Sequence, residues 1–226
     1  MPEKKLSRRA ALQVGLGAAA GAMAGTAFAA SERAEEECAT PAQTEGPFYP
    51  KKDQLDKDAD MTRVEGRPEA ASGEVIVIKG TVIDESLAPV AGAIVDAWQA
   101  NTHGRYHHED DPNPAPEDPN FQGWAKLRTA EDGSFRIKTI RPGAYPVNES
   151  WWRPPHIHFK VAKRGYHELT TQMYFAGNDL NEKDRLLNEL TAAEQDRVII
   201  DFEPSDSAEG LPVGHLVLMI KAVGGS

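Results

Sequence analysis

The sequence predicts an all-β fold, an antiparallel β-sandwich with long loops and little helix. Three observations carry that expectation: short β-branched runs recur along the chain, Gly- and Pro-containing turns separate them, and helical patterning is confined to one stretch. With 226 residues, 40% of them hydrophobic, the chain has enough apolar surface for one core, which excludes a disordered or collagen-like protein. Lys and Arg total 25 against 35 Asp and Glu, a formal charge of −10 and the wrong sign for gripping a phosphate backbone; nucleic acid is excluded as a partner. The single cysteine, Cys38, excludes an intrachain disulfide and any cysteine-rich metal cluster.

Residues 1–29 read as a twin-arginine-type export signal: Lys4-Lys5 and Arg8-Arg9 open it, a Gly/Ala-rich apolar run reaches Ala24, and Ala27-Phe28-Ala29 supplies a small-residue cleavage pattern. The apolar run is shorter than the roughly 20 residues a bilayer needs, so the expected product is periplasmic or secreted, with no membrane attachment after cleavage. Cleavage after Ala29 removes four bases and one acid and leaves a formal charge of −13. Residues 30–73 are polar and turn-rich, an irregular N-terminal arm.

Residues 74–226 carry the sandwich, with strands expected over 74–83, 93–98, 134–140, 156–162, 168–175, 197–202 and 215–223. Helical signal is limited to 181–195, where Thr191 and Glu194 have capping-box spacing. The stretch 107–121, rich in Asp, Pro and Asn, is too long for a tight hairpin and is expected to be a functional loop.

The most informative segment is Arg153-Pro154-Pro155-His156-Ile157-His158-Phe159. In a strand, residues two apart share a face, so His156 and His158 project together while Ile157, Phe159 and Val161 face the other way. Two neutral imidazoles so placed can bind a transition metal, although the pair alone also fits an exposed strand face. Tyr106 follows Gly104-Arg105, and Tyr145 follows Pro142-Gly143-Ala144, turn settings that can aim a side chain inward; each also reads as a buried Tyr with a bonded hydroxyl. The remaining histidines carry less: His107 and His108 read as solvated loop residues, with a supporting place beside Tyr106 the alternative for His108, and His103, His167 and His215 are assigned no role.

Together these pieces resemble the intradiol ring-cleavage dioxygenases, nearest to their protocatechuate-cleaving branch. The resemblance rests on Val95-Asp96-Ala97-Trp98-Gln99-Ala100-Asn101, Gly104-Arg105-Tyr106, Asp118-Pro119-Asn120-Phe121, Ile140-Arg141-Pro142-Gly143-Ala144-Tyr145-Pro146, the His-x-His segment and Thr171-Gln172-Met173-Tyr174-Phe175, with Thr44-Glu45-Gly46-Pro47-Phe48-Tyr49 upstream. It implies a non-haem ferric ion held by Tyr106, Tyr145, His156 and His158. It also implies that a catechol-type substrate and O2 meet there, that the ring opens between the hydroxyl-bearing carbons to a muconate-type diacid, and that Tyr145 is displaced by substrate and accepts a proton.

By the same resemblance Arg153 stabilises negative charge on the ring, Gln172 supports the site and Trp98 forms a pocket wall. The donor set suits the metal: two phenolates and a hydroxide cancel three positive charges, so the ion can sit in a dry pocket. Val147 and the short stretch between Tyr145 and Arg153 depart from the resembled pattern and leave the particular catechol open. A homo-oligomer is compatible with it. The competing expectation is a non-catalytic, transthyretin-like β-sandwich binding module, which fits residues 80–98 almost as well but leaves the two tyrosines, Arg153 and the His pair unexplained together.

Overall fold

Alternation of apolar and polar side chains gives each sheet one face to bury, and two such faces meet. The computed structural model describes residues 39–204 and 209–224; the expected export signal and Cys38 lie outside them. Its strands are β1 (Val75–Ile83), β2 (Ile94–Trp98), β3 (Trp124–Arg128), β4 (Ser134–Ile140), β5 (Tyr145–Asn148), β6 (Trp151–Arg153), β7 (His156–Ala162), β8 (Leu169–Phe175), β9 (Ile199–Ile200), β10 (Phe202–Glu203) and β11 (Val213–Met219). One short helix, α1 (Ala192–Val198), follows β8. The order β10-β11-β1-β4 makes one sheet, β3-β2-β7-β8-β9 a second, and β5-β6 a separate hairpin.

Ile76, Ile78 and Val82 from β1, Ile137 from β4 and Leu216 and Leu218 from β11 pack with Val95 and Ala97 from β2, Ile157, Phe159 and Val161 from β7, and Met173 and Phe175 from β8. Each of these side chains larger than Ala97 contributes about 1.5–3 kcal/mol by leaving water. On β7 this fixes the opposite residues: with Ile157 and Phe159 inward, His156 and His158 stand on the outer face of the five-stranded sheet. Register then sets their neighbours, since His158 pairs with Trp98 on one side and Gln172 on the other, and His156 pairs with Tyr174.

Several expectations are corrected. The sandwich is not wholly antiparallel, because β1 and β11 run parallel, as do β8 and β9. The expected strand over 197–202 is divided: Arg197 and Val198 complete α1, and the next residues form β9 and β10, which belong to different sheets. The expected helix over 181–195 is a 3-10 turn (Asn181–Lys183), a run of turns and then α1, whose Thr191/Glu194 capping box sets its start late. An extended Asp184 ends the turn, held by tertiary bonds that a continuous helix would break. Strand β3 was not expected because its Lys and Arg obscure alternation, and the β5–β6 hairpin is short, with Pro146 and Trp152 exposed. Residues 39–73 contain no helix or strand, only an isolated bridge from Asp60 to Lys138. No described helix is long and apolar enough to cross a membrane.

Candidate active site

An outer sheet face would ordinarily be wet, yet His156 and His158 are only 2% and 3% exposed. Three segments cover them: the arm around 43–48, the loop that starts after β2, and the β5–β6 hairpin. The arm is fastened at several points. The Gln172 Nε2 donates to the Thr44 carbonyl (3.0 Å), the Gln43 Nε2 donates to the Tyr174 hydroxyl (3.1 Å), and the Phe48 ring lies 4.8 Å from that of Tyr106. Lys160 on β7 pairs with Glu45 and sits over the Tyr49 ring.

Two glycines bring the tyrosine-bearing segments together. A Cβ on Gly104, whose φ is +80°, would lie 2.3 Å from the Ala144 carbonyl oxygen, and one on Gly143 would lie 2.5 Å from the Gly104 nitrogen and the Thr102 oxygen. Only residues without side chains permit this backbone contact. It delivers Tyr106 and Tyr145 edge to face, ring centroids 5.7 Å apart.

The four expected ligands converge. Ring centroids are 4.9 Å apart for His156 and His158, 5.6 Å for Tyr145 and His156, and 6.2 Å for Tyr106 and His158. The His156 Nδ1–H donates to the Pro154 carbonyl (2.7 Å), which leaves the Nε2 lone pair facing the Tyr106 hydroxyl at 3.2 Å. Burial, with Arg153 adding to it, holds His156 well below the usual imidazole range and His158 down at about 3. Both rings are therefore neutral, as ligands must be. Burial likewise raises Tyr106 well above the usual phenol range and raises Tyr145, and Asp111 adds to the effect at both. A cation between these phenols would offset that cost by stabilising the phenolates.

The fit to a metal is supported by one further atom. The His158 Nδ1 is buried with no hydrogen-bonding partner among the described residues, a position that costs about 1–3 kcal/mol unless a group from outside the chain engages that atom. Among the described residues, no group of three or more His, Cys, Asp or Glu gathers as a metal site, and the phenols of Tyr106 and Tyr145 lie beside the His pair.

Arg153 is 4% exposed and tightly held: its Nε donates to Asp184 (3.0 Å) and its Nη2 donates to Gln172 Oε1 (2.5 Å) and the Tyr174 hydroxyl (3.2 Å). Burial works against its charge, but Tyr174, Tyr145 and Asp184 outweigh it and hold Arg153 above its ordinary value. Beside this network lies a cavity of about 490 Å³ bordered by Tyr145, Arg153, His158, Phe48, Asp111 and Val147 among others. Tyr106 and His156 are buried next to it.

One expected placement changes. Trp98 does not border the cavity as a wall; it stacks flat on the far side of His158, centroids 4.7 Å apart and planes 9° apart, and so supports that ring. Gln172, expected in a supporting role, lies off the cavity and links Arg153 to the arm. His107, His103, His167 and His215 are exposed, and His108 is half-buried with its ring 5.7 Å from that of Phe48. Loop 107–121 borders the cavity through Asp111 to Pro114, and Asp111 also accepts from the Tyr106 backbone N–H (2.7 Å). Sequence reasoning missed Tyr174, Asp184 and Gln43, whose contribution exists only in the bonds they make across the fold.

The family described as Dioxygenase matches residues 44–215. The protocatechuate 3,4-dioxygenase beta chain of Burkholderia cepacia is 39% identical over 172 residues, covering 75% of this chain and 73% of that relative. The structure of 3-chlorocatechol 1,2-dioxygenase from Rhodococcus opacus 1CP superposes with a TM-score of 0.65 at 25% identity, covering 86% of this chain and 78% of that one. The dioxygenase domain of a dioxygenase carbohydrate-binding protein fusion from Streptomyces sp. SirexAA-E gives 0.59 at 27% identity, covering 82% and 99%. A family match across most of the chain, and a relative of this identity over three quarters of it, make the chain a member of the intradiol ring-cleavage dioxygenases, an enzyme that acts on catechols.

Proposed function

We propose that the chain is a non-haem iron(III) enzyme that inserts both atoms of O2 into a catechol, opening the ring between its hydroxyl-bearing carbons to a muconate-type diacid. The observation that carries this reading is the convergence of two phenols and two neutral imidazoles from separate stretches of polypeptide beside a cavity bordered by Arg153. Tyr106, Tyr145, His156 and His158 would hold the ion, whose two phenolates and a hydroxide balance three positive charges. Bound there, iron(III) supplies a Lewis acid that draws electron density from the ring and prepares it for dioxygen.

The protein's own groups do the rest. Tyr145 borders the cavity and is placed to take a proton from an entering catechol hydroxyl. Arg153, fixed on one side by Asp184 and Gln172, keeps its Nη1 out of those bonds and presents a preorganised positive charge to the ring oxygens. Trp98 and the Pro154 carbonyl fix the planes of the two imidazoles, and Phe48 with the arm excludes water. The same reading takes residues 1–29 as a twin-arginine leader, so that ring cleavage happens outside the cytoplasm.

The test is optical and then chemical. Iron-loaded protein should be red to burgundy from phenolate-to-iron charge transfer, and should consume O2 stoichiometrically with catechol. A colourless iron-replete protein that binds catechol without consuming O2 would instead support a binding module.

A further inference from the structure

The charge pattern of the cavity bears on which catechol enters, an inference that rests on the function proposed above. Among the described residues, two charged side chains border it, Arg153 and Asp111. Burial orders the cavity in depth. Arg153 and His158, at 4% and 3% exposure, form the floor, whereas Val147 is 48% exposed and Pro112, Pro114 and Pro146 are also exposed. A catechol with its two oxygens toward the floor directs the far side of its ring, where substituents sit, to a rim of Val147, Leu186 and prolines. The only acidic residue bordering the cavity among the described residues, Asp111, is held in place, its carboxylate accepting from the backbone N–H groups of Tyr106 (2.7 Å) and Asn113 (2.9 Å).

Arg153 cannot serve both ends of the ring, since it lies at the floor with Asp184, Gln172 and Tyr174 around it. A second cation nearby, Arg185, lies 5.2 Å from the centroid of the Trp151 ring, is exposed and does not border the cavity. Solvent screens a charge in that position. A carboxylate on the far side of the ring would thus lose hydration against an apolar rim, gain no partner and feel Asp111. We infer that this pocket selects neutral catechols and rejects carboxylated ones, with Val147, Leu186 and Asp111 setting the choice. In this the chain would differ from the beta-chain relative named for protocatechuate, which is 3,4-dihydroxybenzoate.

The experiment uses the iron-loaded full chain with catechol, 4-methylcatechol and 3,4-dihydroxybenzoate, following O2 uptake and, separately, anaerobic binding by calorimetry. The expected result is a kcat/KM for the neutral compounds at least ~30-fold above that of the carboxylate, with a correspondingly lower Kd for the neutral compounds. Val147→Arg and Leu186→Arg should each raise the ratio of carboxylate to neutral turnover by at least ~10-fold by supplying the missing cation. Equal use of all three compounds, or a preference for the carboxylate, would overturn the inference and leave ring cleavage standing; loss of such a preference in Arg185→Ala would name the cation responsible. If none of the three is bound or turned over, the proposed function falls and this inference falls with it.

Discussion

Tyr106 and Tyr145 are the same residue type in unequal places. Tyr106 is buried at 3% exposure with its hydroxyl on His156, whereas Tyr145 borders the cavity. Under the proposed reading that inequality assigns the proton-accepting role to Tyr145 and a purely ligating one to Tyr106. Tyr145→Phe, and likewise His158→Ala, should lower O2 uptake with catechol by about 100-fold or more while circular dichroism stays that of the parent. Unaltered rates in folded, iron-replete variants would remove these residues from the mechanism. The His pair was legible in the sequence because its period of two is a property of any strand. Tyr174 and Asp184 were not: a Tyr among β-branched and aromatic neighbours reads as core, and an Asp inside an apparently helical run reads as surface. Only the fold aims both at Arg153.

At the scale of elements, the β5–β6 hairpin joins the site's phenol to its cation, since Tyr145 pairs directly with Arg153 in register. Its approach to the Tyr106 turn depends on Gly143 and Gly104, so Gly143→Ala should push the two segments apart. The expected outcome is a loss of about 1–3 kcal/mol in urea unfolding together with a marked loss of catechol turnover, although Gly143 does not border the cavity. Unchanged stability and turnover would mean that the loops yield independently. Elements with strong alternation, β1, β4, β7 and β8, were readable from sequence almost to the residue. Those that cross between sheets or lean on other segments, β9, β10 and the hairpin, were not. Their two to four residues carry no period of their own, and tertiary contact decides them.

Across the whole molecule, the core of the sandwich and the site lie on opposite faces of the same five-stranded sheet. The sandwich architecture was legible, but the closing of the outer face was not, because the arm and loops that cover it have no regular pattern. Their effect is to bury two imidazoles, with a consequence for stability in the metal-free protein. The folded state keeps His158 neutral down to about pH 3, whereas the unfolded chain protonates it near 6.5. Protons therefore favour the unfolded chain: stability is full above about pH 6.5 and falls as pH drops toward 3, by up to about 1.4 kcal/mol per pH unit from this ring. Urea midpoints between pH 7 and pH 4 should fall more steeply for metal-free parent than for metal-free His158→Gln, and matching slopes would refute this. The pairing of β7 with β8 carries one more consequence. Sliding either strand by a single residue would carry His156 and His158, or Gln172 and Tyr174, to the inner side and expel their apolar neighbours, so a misaligned molecule would forfeit its interior and its chemistry in one error. Partly competent forms are thereby denied a foothold, and a preparation's specific activity should count correctly threaded molecules.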